Sequence, residues 1–456
     1  MMRALLAALA VCAALIALPV SPAGAVQIQR MTSPLGVDVW YVREPSLPII
    51  AVNVLFQDAG ASTIPVEKLG LGYMTQVLLD EGAGDMKSFE FQRRLDELSL
   101  TLDFNASVDT FGITMRTLSD RRDDAFKLLG LAISKPRFDE EAIERMRTAV
   151  LSEVNNRLVD PDDIINRAFV ASLFPNHGYS RPLRGVPETL EGITRADLVD
   201  FVKTRFTRDK LVVGAVGDVP IEEVARLIDL AVADLPAKGV DFAVPDVRPN
   251  ITGEVNVIKK DIPQSTVLIG SYGIKREDPD YYAAAILNAV MGGASFISRL
   301  WDAVREERGL AYSVQTSNAV LEHGAYFLAY VATNNEKVAE SISVIRDELD
   351  RVLREGITQA ELDAARTYLI GSFALSMDTN ARIASTLVSI QVSNLPMDYM
   401  EKRADYYNAV TLADIQRVAR RVFLGDANAP NGPPRLNTVV IGDPANVAPV
   451  APAKGG

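Results

Sequence analysis

The chain contains a long internal repeat, which restricts it to folds built from two similar halves. Residues Phe138–Thr148 parallel Ile357–Thr367, at an offset of 219 positions. A second echo pairs Val212–Asp218 with Val439–Asp443, and each of these apolar runs ends in Gly-Asp. Because the two echoes occur in the same order, the sequence indicates one ancestral half used twice rather than a solenoid of short repeats.

Both halves begin with strand-like stretches and continue as amphipathic helices. Short apolar runs rich in β-branched residues predict strands at 39–42, 49–56, 255–258 and 267–271. Apolar residues at helical spacing predict helices at 125–131, 142–154, 338–353 and 362–373. The sequence therefore predicts an α+β fold with two homologous α/β-sandwich-like halves, each a mixed sheet with helices packed on it.

Composition divides the chain into five segments. Arg3, an apolar run from Ala4 to Leu18 and Ala23-Gly24-Ala25 are typical of a signal peptide at 1–25. A stretch with three prolines and no sustained periodicity predicts a linker at 236–250. We therefore expect an N-terminal domain at 26–235, a C-terminal domain at 251–444 and a disordered, Ala/Pro/Gly-rich tail at 445–456.

Charge and cysteine content exclude several classes of protein. The formal net charge is −12 and no basic stripe is present, so nucleic acid is not expected as a partner. The single cysteine, Cys12, lies in the predicted signal peptide, so disulfides, thiol catalysis and thiolate zinc sites are not expected afterwards. The apolar run is shorter than the roughly 20 residues of a spanning helix. We therefore expect export without a membrane anchor, into the periplasm of a Gram-negative cell.

The most specific motif lies in the second half. Gly292–Leu300 runs into Val304–Val314, and together with the duplicated architecture this stretch resembles the pitrilysin-type (inverzincin) metallopeptidases. That family includes the mitochondrial processing peptidases and bacterial periplasmic relatives. The resemblance covers nearly all of the chain after the signal peptide. It implies that the two halves form half of a clamshell, similar to the zinc-free subunit of the heterodimeric members.

The metal-binding motif of that family is degenerate here. Active members carry His-x-x-Glu-His on a helix, where two imidazoles bind zinc and the glutamate activates its water. In the matching segment, Tyr73 and Val77 replace the histidines and Gln76 replaces the base. Glu153, 76 residues after Val77, matches the third ligand. A lone carboxylate cannot hold zinc usefully, so we expect a buried hydrogen bond or a neighbouring arginine to satisfy it.

The histidine inventory agrees with the loss of the metal. Only His177 and His323 are present, and neither has a histidine neighbour at helical spacing. We interpret both as loop residues. The resemblance implies no metal in this chain and zinc in a partner subunit.

Arg305 and Tyr312 match a pair that the family uses for catalysis. The resemblance implies that they act in trans, reaching across the closed chamber to the scissile carbonyl beside zinc. A guanidinium and a phenol suit that place because both donate hydrogen bonds to a developing oxyanion. From the residues alone, Arg305 is better explained as a charge near a helix C-terminus and Tyr312 as a half-buried strand aromatic. The buried stripe of the preceding helix is predicted to contain Ile297, Leu300, Trp301 and Val304.

Two further segments are candidate substrate-binding residues. Asn105 and Ala106 resemble the first-half edge strand whose backbone pairs with an extended peptide. Gly292 and Gly293 resemble the Gly-rich segment of the noncatalytic processing-peptidase subunit. A tight turn ahead of a helix explains the two glycines equally well.

These observations support one leading functional hypothesis. The chain is expected to be the zinc-free subunit of a heterodimeric metalloendopeptidase, inactive alone, acting with a homologous zinc-bearing subunit on peptides or unfolded proteins. The alternative is a non-hydrolytic peptide-binding or assembly protein of the cell envelope. An autonomous enzyme would need a nucleophile or metal cluster that the sequence does not reveal.

Overall fold

The computed structural model describes residues 27–294 and 296–451, so the predicted signal peptide lies outside the described residues. Strands form two large sheets and one short hairpin. The strands are β1 (Ile28–Thr32), β2 (Asp38–Arg43), β3 (Ile49–Phe56), β4 (Gly82–Ala83), β5 (Met86–Lys87), β6 (Thr101–Ala106), β7 (Phe111–Leu118), β8 (Leu211–Gly217), β9 (Val255–Lys259), β10 (Gln264–Tyr272), β11 (Ala311–Val320), β12 (Ala325–Asn334) and β13 (Asn437–Gly442).

Helices follow the strands in both halves. Those of the first half are α1 (Leu71–Gln76), α2 (Ser88–Leu98), α3 (Arg122–Ser134), α4 (Glu140–Val159), α5 (Pro161–Leu173), α6 (Pro187–Glu191), α7 (Arg195–Arg205) and α8 (Ile221–Val232). Those of the second half are α9 (Tyr281–Asn288), α10 (Val338–Glu355), α11 (Gln359–Leu375), α12 (Asn380–Val392), α13 (Tyr399–Asn408) and α14 (Leu412–Phe423). Two π-helical turns lie at Ala289–Gly293 and Trp301–Glu306.

The two sheets have the same topology. The first has the order β1-β2-β8-β3-β7-β6 and the second the order β11-β12-β10-β13-β9. When β1 is set aside and the second sheet is read in reverse, the strands correspond in the order β2/β9, β8/β13, β3/β10, β7/β12 and β6/β11. In both sheets one outer pair, β2/β8 or β9/β13, is parallel and the other pairs are antiparallel. The predicted α+β class with two similar halves is confirmed, and the echo between 212–218 and 439–443 corresponds to β8 and β13.

The offset of 219 positions also holds for two consecutive helices, because α4 and α11 begin at 140 and 359, and α5 and α12 at 161 and 380. Thr358 caps α11, since its hydroxyl accepts from Glu361 N at 3.2 Å. Asp139 stands at the same place before α4, but its carboxylate binds Arg137 at 2.7 Å and does not cap. The repeat is therefore preserved in geometry more closely than in capping chemistry.

Each half covers one face of the sheet of the other half. Helix α5 places Phe169 and Leu173 against Leu268 and Val439 of the second sheet. Helix α12 packs in the same way on the first sheet, where its apolar residues meet Trp40 and Val216. Because the opposite face of each sheet packs on helices of its own half, the central strands are buried on both sides.

Two glycines allow this exchange of helices. A Cβ on Gly214 of β8 would lie 2.4 Å from the carbonyl oxygen of Ala384 in α12. A Cβ on Gly270 of β10 would lie 2.8 Å from the Phe169 ring in α5. Both distances are below van der Waals contact, so the helices lie as close to the sheets as the backbone permits.

The structure describes the predicted linker and part of the predicted tail. Residues 236–250 contain no helix or strand. Of the tail, residues 445–451 are described, and there Val450 pairs with Val255 while Ala445 N donates to Asn335 O at 2.9 Å. The disorder expected from composition is therefore wrong for this part, because backbone hydrogen bonds attach it to the second half. Among the described helices, none has the length and apolarity that crossing a bilayer would require.

Candidate functional site

Two residues of the degenerate metal motif, Tyr73 and Glu153, contact each other. Gly70, at a positive φ of 89°, precedes the short helix α1, which carries Tyr73 and Gln76. The Tyr73 hydroxyl donates to Glu153 Oε2 of α4 at 2.8 Å. The structure therefore brings together the residues that match the first and the third metal ligand of the resembling family.

Two arginines neutralise the Glu153 carboxylate. Arg184 Nε lies 2.9 Å from Glu153 Oε1, and the guanidinium carbon of Arg184 lies 4.8 Å from the centroid of the Tyr73 ring. Arg157, one helical turn after Glu153, donates from Nε to the same oxygen at 3.2 Å. Glu153 therefore has both kinds of partner that the sequence analysis expects, a hydrogen bond from Tyr73 and neighbouring arginines.

The ionisation of this cluster is set by burial and by these neighbours. Burial acts to raise the pKa of Glu153, but the hydrogen bond from Tyr73 and the charges of Arg184 and Arg157 outweigh it, so the pKa lies below its usual value. Burial, reinforced by Glu153, raises the pKa of Tyr73 above 10. At neutral pH the site is thus a protonated phenol and an ionised carboxylate between two cations, which is unfavourable for a divalent metal.

Gln76 and Val77 serve the core of the first half. The Gln76 Oε1 atom accepts from the backbone N–H of Ala106 at 2.8 Å, and Val77 packs against the main hydrophobic cluster. Strand β6, which carries Asn105 and Ala106, is the edge of its sheet. Asn105 is exposed, whereas the outward N–H of Ala106 already has a partner. An extended peptide that paired with Ala106 would have to displace Gln76.

The histidines lie in loops elsewhere. His177 Nε2 is 3.0 Å from Pro245 O, and its Nδ1 accepts from Tyr179 N at 3.2 Å. His323 lies with Asp109 and Glu322 where the β6–β7 and β11–β12 turns meet. Within the described ranges this is the one group of three potential metal ligands lying within 4.8 Å of one another. It includes none of the residues at the degenerate motif.

Arg305 is the centre of an aromatic stack in the second half. Its guanidinium carbon lies 4.0 Å from the centroid of the Trp301 ring and 4.6 Å from that of Tyr312. The Trp301 ring in turn meets Phe296 edge to face, with centroids 4.5 Å apart. Cation–π contacts on two sides hold the guanidinium in place without neutralising it. Its nearest acidic atom, Glu306 Oε1, is 3.8 Å from Nε.

Tyr312 projects outward because of a β-bulge. In the β11–β12 ladder Ala311 pairs with Thr333 and Ser313 with Ala332, so Tyr312 has no partner. A bulge re-aims the side chain of the extra residue. As a result 82% of Tyr312 is exposed, and its phenol stands at the edge of the sheet beside Arg305.

An ion pair anchors this segment to the rest of the second half. Arg299 donates to both carboxylate oxygens of Glu361, from Nε at 2.5 Å and from Nη2 at 2.9 Å. The same Nη2 donates to Gly356 O at 3.1 Å. Glu361 also accepts from the backbone N–H of Thr358 at 2.7 Å. The start of the π-helical turn is thereby fixed on α11.

Two sequence predictions for this segment need correction or reinterpretation. Leu300 and Val304 are buried as predicted, but Ile297 is exposed, because Phe296 has a positive φ of 69° and the helical turns begin only after Ile297. Gly292 and Gly293 are the last residues of a π-helical turn, and the next helical segment begins only at Arg299. Gly292 is buried, and a Cβ there would lie 2.9 Å from Thr316 N, so packing accounts for its lack of a side chain.

Sequence reasoning missed four side chains at these sites. Arg157 is four residues after Glu153, just past the end of the helix predicted at 142–154, so its helical spacing is a usable signal. Arg184 lies in an irregular loop, and no local pattern connects it to Tyr73. The sequence predicts Trp301 for the buried stripe and gives no signal for Phe296, although both support Arg305.

Comparisons with known proteins agree with this architecture. Residues 192–369 match the sequence model of the peptidase M16 inactive domain. A non-peptidase homolog of Helicobacter pylori is 25% identical over 380 residues, which are 83% of this chain and 87% of that protein. An uncharacterized zinc protease of Mycobacterium bovis is 26% identical over 412 residues, 89% of this chain and 93% of that protein.

A solved structure shows the same fold. The peptidase M16 inactive domain from Pseudomonas fluorescens superposes with a TM-score of 0.83 at 24% identity, covering 94% of this chain and 99% of that chain. At this level of identity the likeness concerns the fold.

Proposed function

We propose that this chain, an inactive, peptidase-like member of the peptidase M16, or pitrilysin, family, is the zinc-free subunit of a two-chain metalloendopeptidase. In this proposal a homologous subunit with an intact His-x-x-Glu-His supplies zinc and the general base. This chain closes the chamber and supplies Arg305 and Tyr312. Neither chain hydrolyses peptides alone.

The observation that carries the proposal is the contrast between the two halves. In the first half, Tyr73, Glu153 and Arg184 bind one another where a metal would be held, so the site has no free ligands. In the second half, the carboxylate nearest to Arg305 is that of Glu306, 3.8 Å from Nε, and the Tyr312 phenol is exposed. Two hydrogen-bond donors held at a sheet edge suit a reacting carbonyl on a separate molecule.

The chemistry assigned to this chain is stabilisation of negative charge. Zinc in the partner subunit would supply the nucleophile for amide hydrolysis, and negative charge would then develop on the amide carbonyl oxygen of the peptide. Arg305 and Tyr312 would donate hydrogen bonds to that oxygen. Trp301 positions Arg305 through its ring, so little reorganisation is needed when the charge develops.

Reconstitution tests the proposal. This chain would be mixed with the M16 homologue of the same organism that carries His-x-x-Glu-His, and hydrolysis of quenched fluorescent peptides would be measured for each chain and for the pair. We expect turnover only in the pair. Arg305→Ala and Tyr312→Phe should each lower kcat by roughly 10²–10³-fold, as removal of an oxyanion donor does.

Matched variants control for general effects. Arg308→Ala removes a guanidinium from the same turn, and Tyr368→Phe removes a phenol from α11, yet neither belongs to the stack. Both should leave kcat unchanged. Unchanged turnover in Arg305→Ala and Tyr312→Phe would contradict the proposal and favour the non-hydrolytic peptide-binding or assembly protein. Chelator-sensitive hydrolysis by this chain alone would contradict both the zinc-free subunit and the non-hydrolytic alternative.

The proposed location is the periplasm. The pattern at residues 1–25 supports export. Fractionation of cells that express the tagged full chain should place it with periplasmic markers, and deletion of residues 2–25 should retain it in the cytoplasm. Cytoplasmic recovery of the full chain would contradict this location.

A further inference from the structure

A cavity lined by arginines lies beside the degenerate metal motif. Its volume is about 220 Å³. Four guanidinium groups line it, those of Arg157, Arg167, Arg181 and Arg184, and among its lining residues the single carboxylate is that of Asp163. Such a concentration of positive charge is unusual on a chain with a net charge of −12.

The positive charge of this arginine cavity is only partly neutralised. Arg157 pairs with Glu153 and Asp163, and Arg184 pairs with Glu153. Arg181 Nη1 donates to the backbone carbonyls of Ser62 and Ile64, at 3.4 and 2.7 Å. Carbonyl groups satisfy its hydrogen-bonding capacity without cancelling its charge.

Arg167 likewise lacks a carboxylate partner. Its Nε lies 3.4 Å from the backbone oxygen of Asp163, and neither it nor Arg181 forms an ion pair with any described residue. Two carboxylates thus stand against four guanidinium groups: Asp163, which lines the cavity, and Glu153, which pairs with Arg157 and Arg184 without lining it. Two positive charges are left for a ligand.

Three separate segments hold these groups in place. Arg157 lies on α4, Arg167 on α5, and Arg181 and Arg184 in the loop between α5 and α6. That loop is fixed closely to the core, because a Cβ on Gly185 would lie 2.4 Å from Leu69 O. A site built from several anchored segments is largely formed before the ligand arrives.

The remaining lining is uncharged: Val154, Leu158, Val170 and Leu183 are apolar, and Asn166, Tyr179 and Ser180 are polar. The volume is below the roughly 300–1,000 Å³ of sites for drug-sized ligands. It suits a single amino-acid residue. Guanidinium groups favour carboxylates because two parallel N–H donors match two oxygens.

We propose that the arginine cavity binds the carboxylate of an acidic peptide residue, either an Asp or Glu side chain or a C-terminal carboxylate. This assigns acidic peptides as the substrate class, and in that role it rests on the function proposed above. The cavity adjoins the Tyr73–Glu153 contact through Arg157 and Arg184, which belong to both. A peptide held there would lie beside the place that the metal occupies in active members.

Binding to this chain alone tests the inference. Fluorescence anisotropy would be measured with three labelled peptides of one length: one with an internal Glu and an amidated end, one without acidic residues but with a free C-terminus, and one neutral and amidated. We expect either acidic peptide, or both, to bind at least tenfold more tightly than the neutral one. The difference should shrink at high salt because charge interactions are screened. Equal affinity of all three peptides would overturn the inference.

Variants give effects in both directions. Arg167→Gln, at an exposed position, should weaken acidic-peptide binding by about tenfold, the loss expected for one charge-assisted hydrogen bond. Asp163→Asn removes the lining carboxylate and should tighten binding, which a folding defect would not do. Arg121→Gln, an exposed arginine outside the cavity, is the matched control. Equal effects of Arg167→Gln and Arg121→Gln would overturn the inference.

This experiment is independent of the catalytic partner. Selective binding of acidic peptides without turnover in the reconstituted pair would keep the cavity assignment and contradict the proposed peptidase role. Equal turnover of neutral and acidic peptides by the pair, without selective binding of acidic peptides, would support the peptidase role and contradict the cavity assignment.

Discussion

Removing the charge of Glu361 should loosen the anchor of the segment that carries Arg305. Burial acts to raise the pKa of Glu361, but the hydrogen bonds from Arg299 and Thr358 outweigh it and lower the pKa to about 2, from an ordinary value of 4.5. In Glu361→Gln the amide can still accept from Thr358 N at the start of α11. The substitution therefore removes mainly the interaction with the Arg299 charge.

The structure gives the magnitude. A pKa change from 4.5 to about 2 corresponds to about 3 kcal/mol at about 1.4 kcal/mol per pKa unit. The Arg299 side chain is 10% exposed and that of Glu361 29%, so partial screening reduces the expected loss of stability in Glu361→Gln to about 2 kcal/mol at pH 7.

The pH dependence makes this prediction specific. A carboxylate whose pKa is lower in the folded state stabilises the protein above its unfolded pKa, and that contribution is lost as the pH falls through the folded pKa. The difference between wild type and Glu361→Gln should thus be complete above about pH 5 and close to zero near pH 2.

Urea denaturation at a series of pH values measures this difference. Glu97→Gln is a matched control, because Glu97 pairs with Arg93 in an exposed i, i+4 contact and should change stability by no more than about 0.5 kcal/mol. A constant difference between pH 7 and pH 3, or a loss at pH 7 no larger than that of the control, would refute the reasoning.

Three further predictions concern the packing, the degenerate motif and metal. Gly214→Ala should lower the free energy of unfolding by about 1–3 kcal/mol, because its Cβ would overlap the Ala384 carbonyl, whereas Gly112→Ala on β7, where the nearest atom is 3.8 Å away, should be nearly neutral in the same urea titration. Tyr73→Phe should cost about 1–2 kcal/mol at pH 7, and less in acid as Glu153 is protonated; a pH-independent loss would contradict the hydrogen bond. Dialysis of the purified chain against EDTA should leave its Tm unchanged, and a fall of several degrees would indicate a structural metal.

The two halves have kept one topology while their sites have diverged. Helix α1 of the first half has become a packing element, with Tyr73 and Gln76 bonded to neighbouring elements. In the second half, the edge strand β11 and the π-helical turn before it present Tyr312 and Arg305. A duplicated fold can lose a metal site in one half because the exchanged helices α5 and α12, which join the halves, do not depend on it.

The sequence by itself determined the repeat, the positions of the main strands and helices, and the lack of metal ligands at Tyr73, Gln76 and Val77. These features are local, because periodicity, β-branched runs and residue identity can be read within a short window. It also placed Glu153 on a helix and predicted that a neighbour would satisfy the carboxylate.

Only the tertiary structure decided which neighbours meet. Arg184 comes from a loop, α5 and α12 pack on sheets more than 80 positions away in the chain, and a bulge turns Tyr312 outward. Residue 450 is paired for the same reason. Contacts between distant segments follow from how the two halves dock, and no local sequence pattern contains that information.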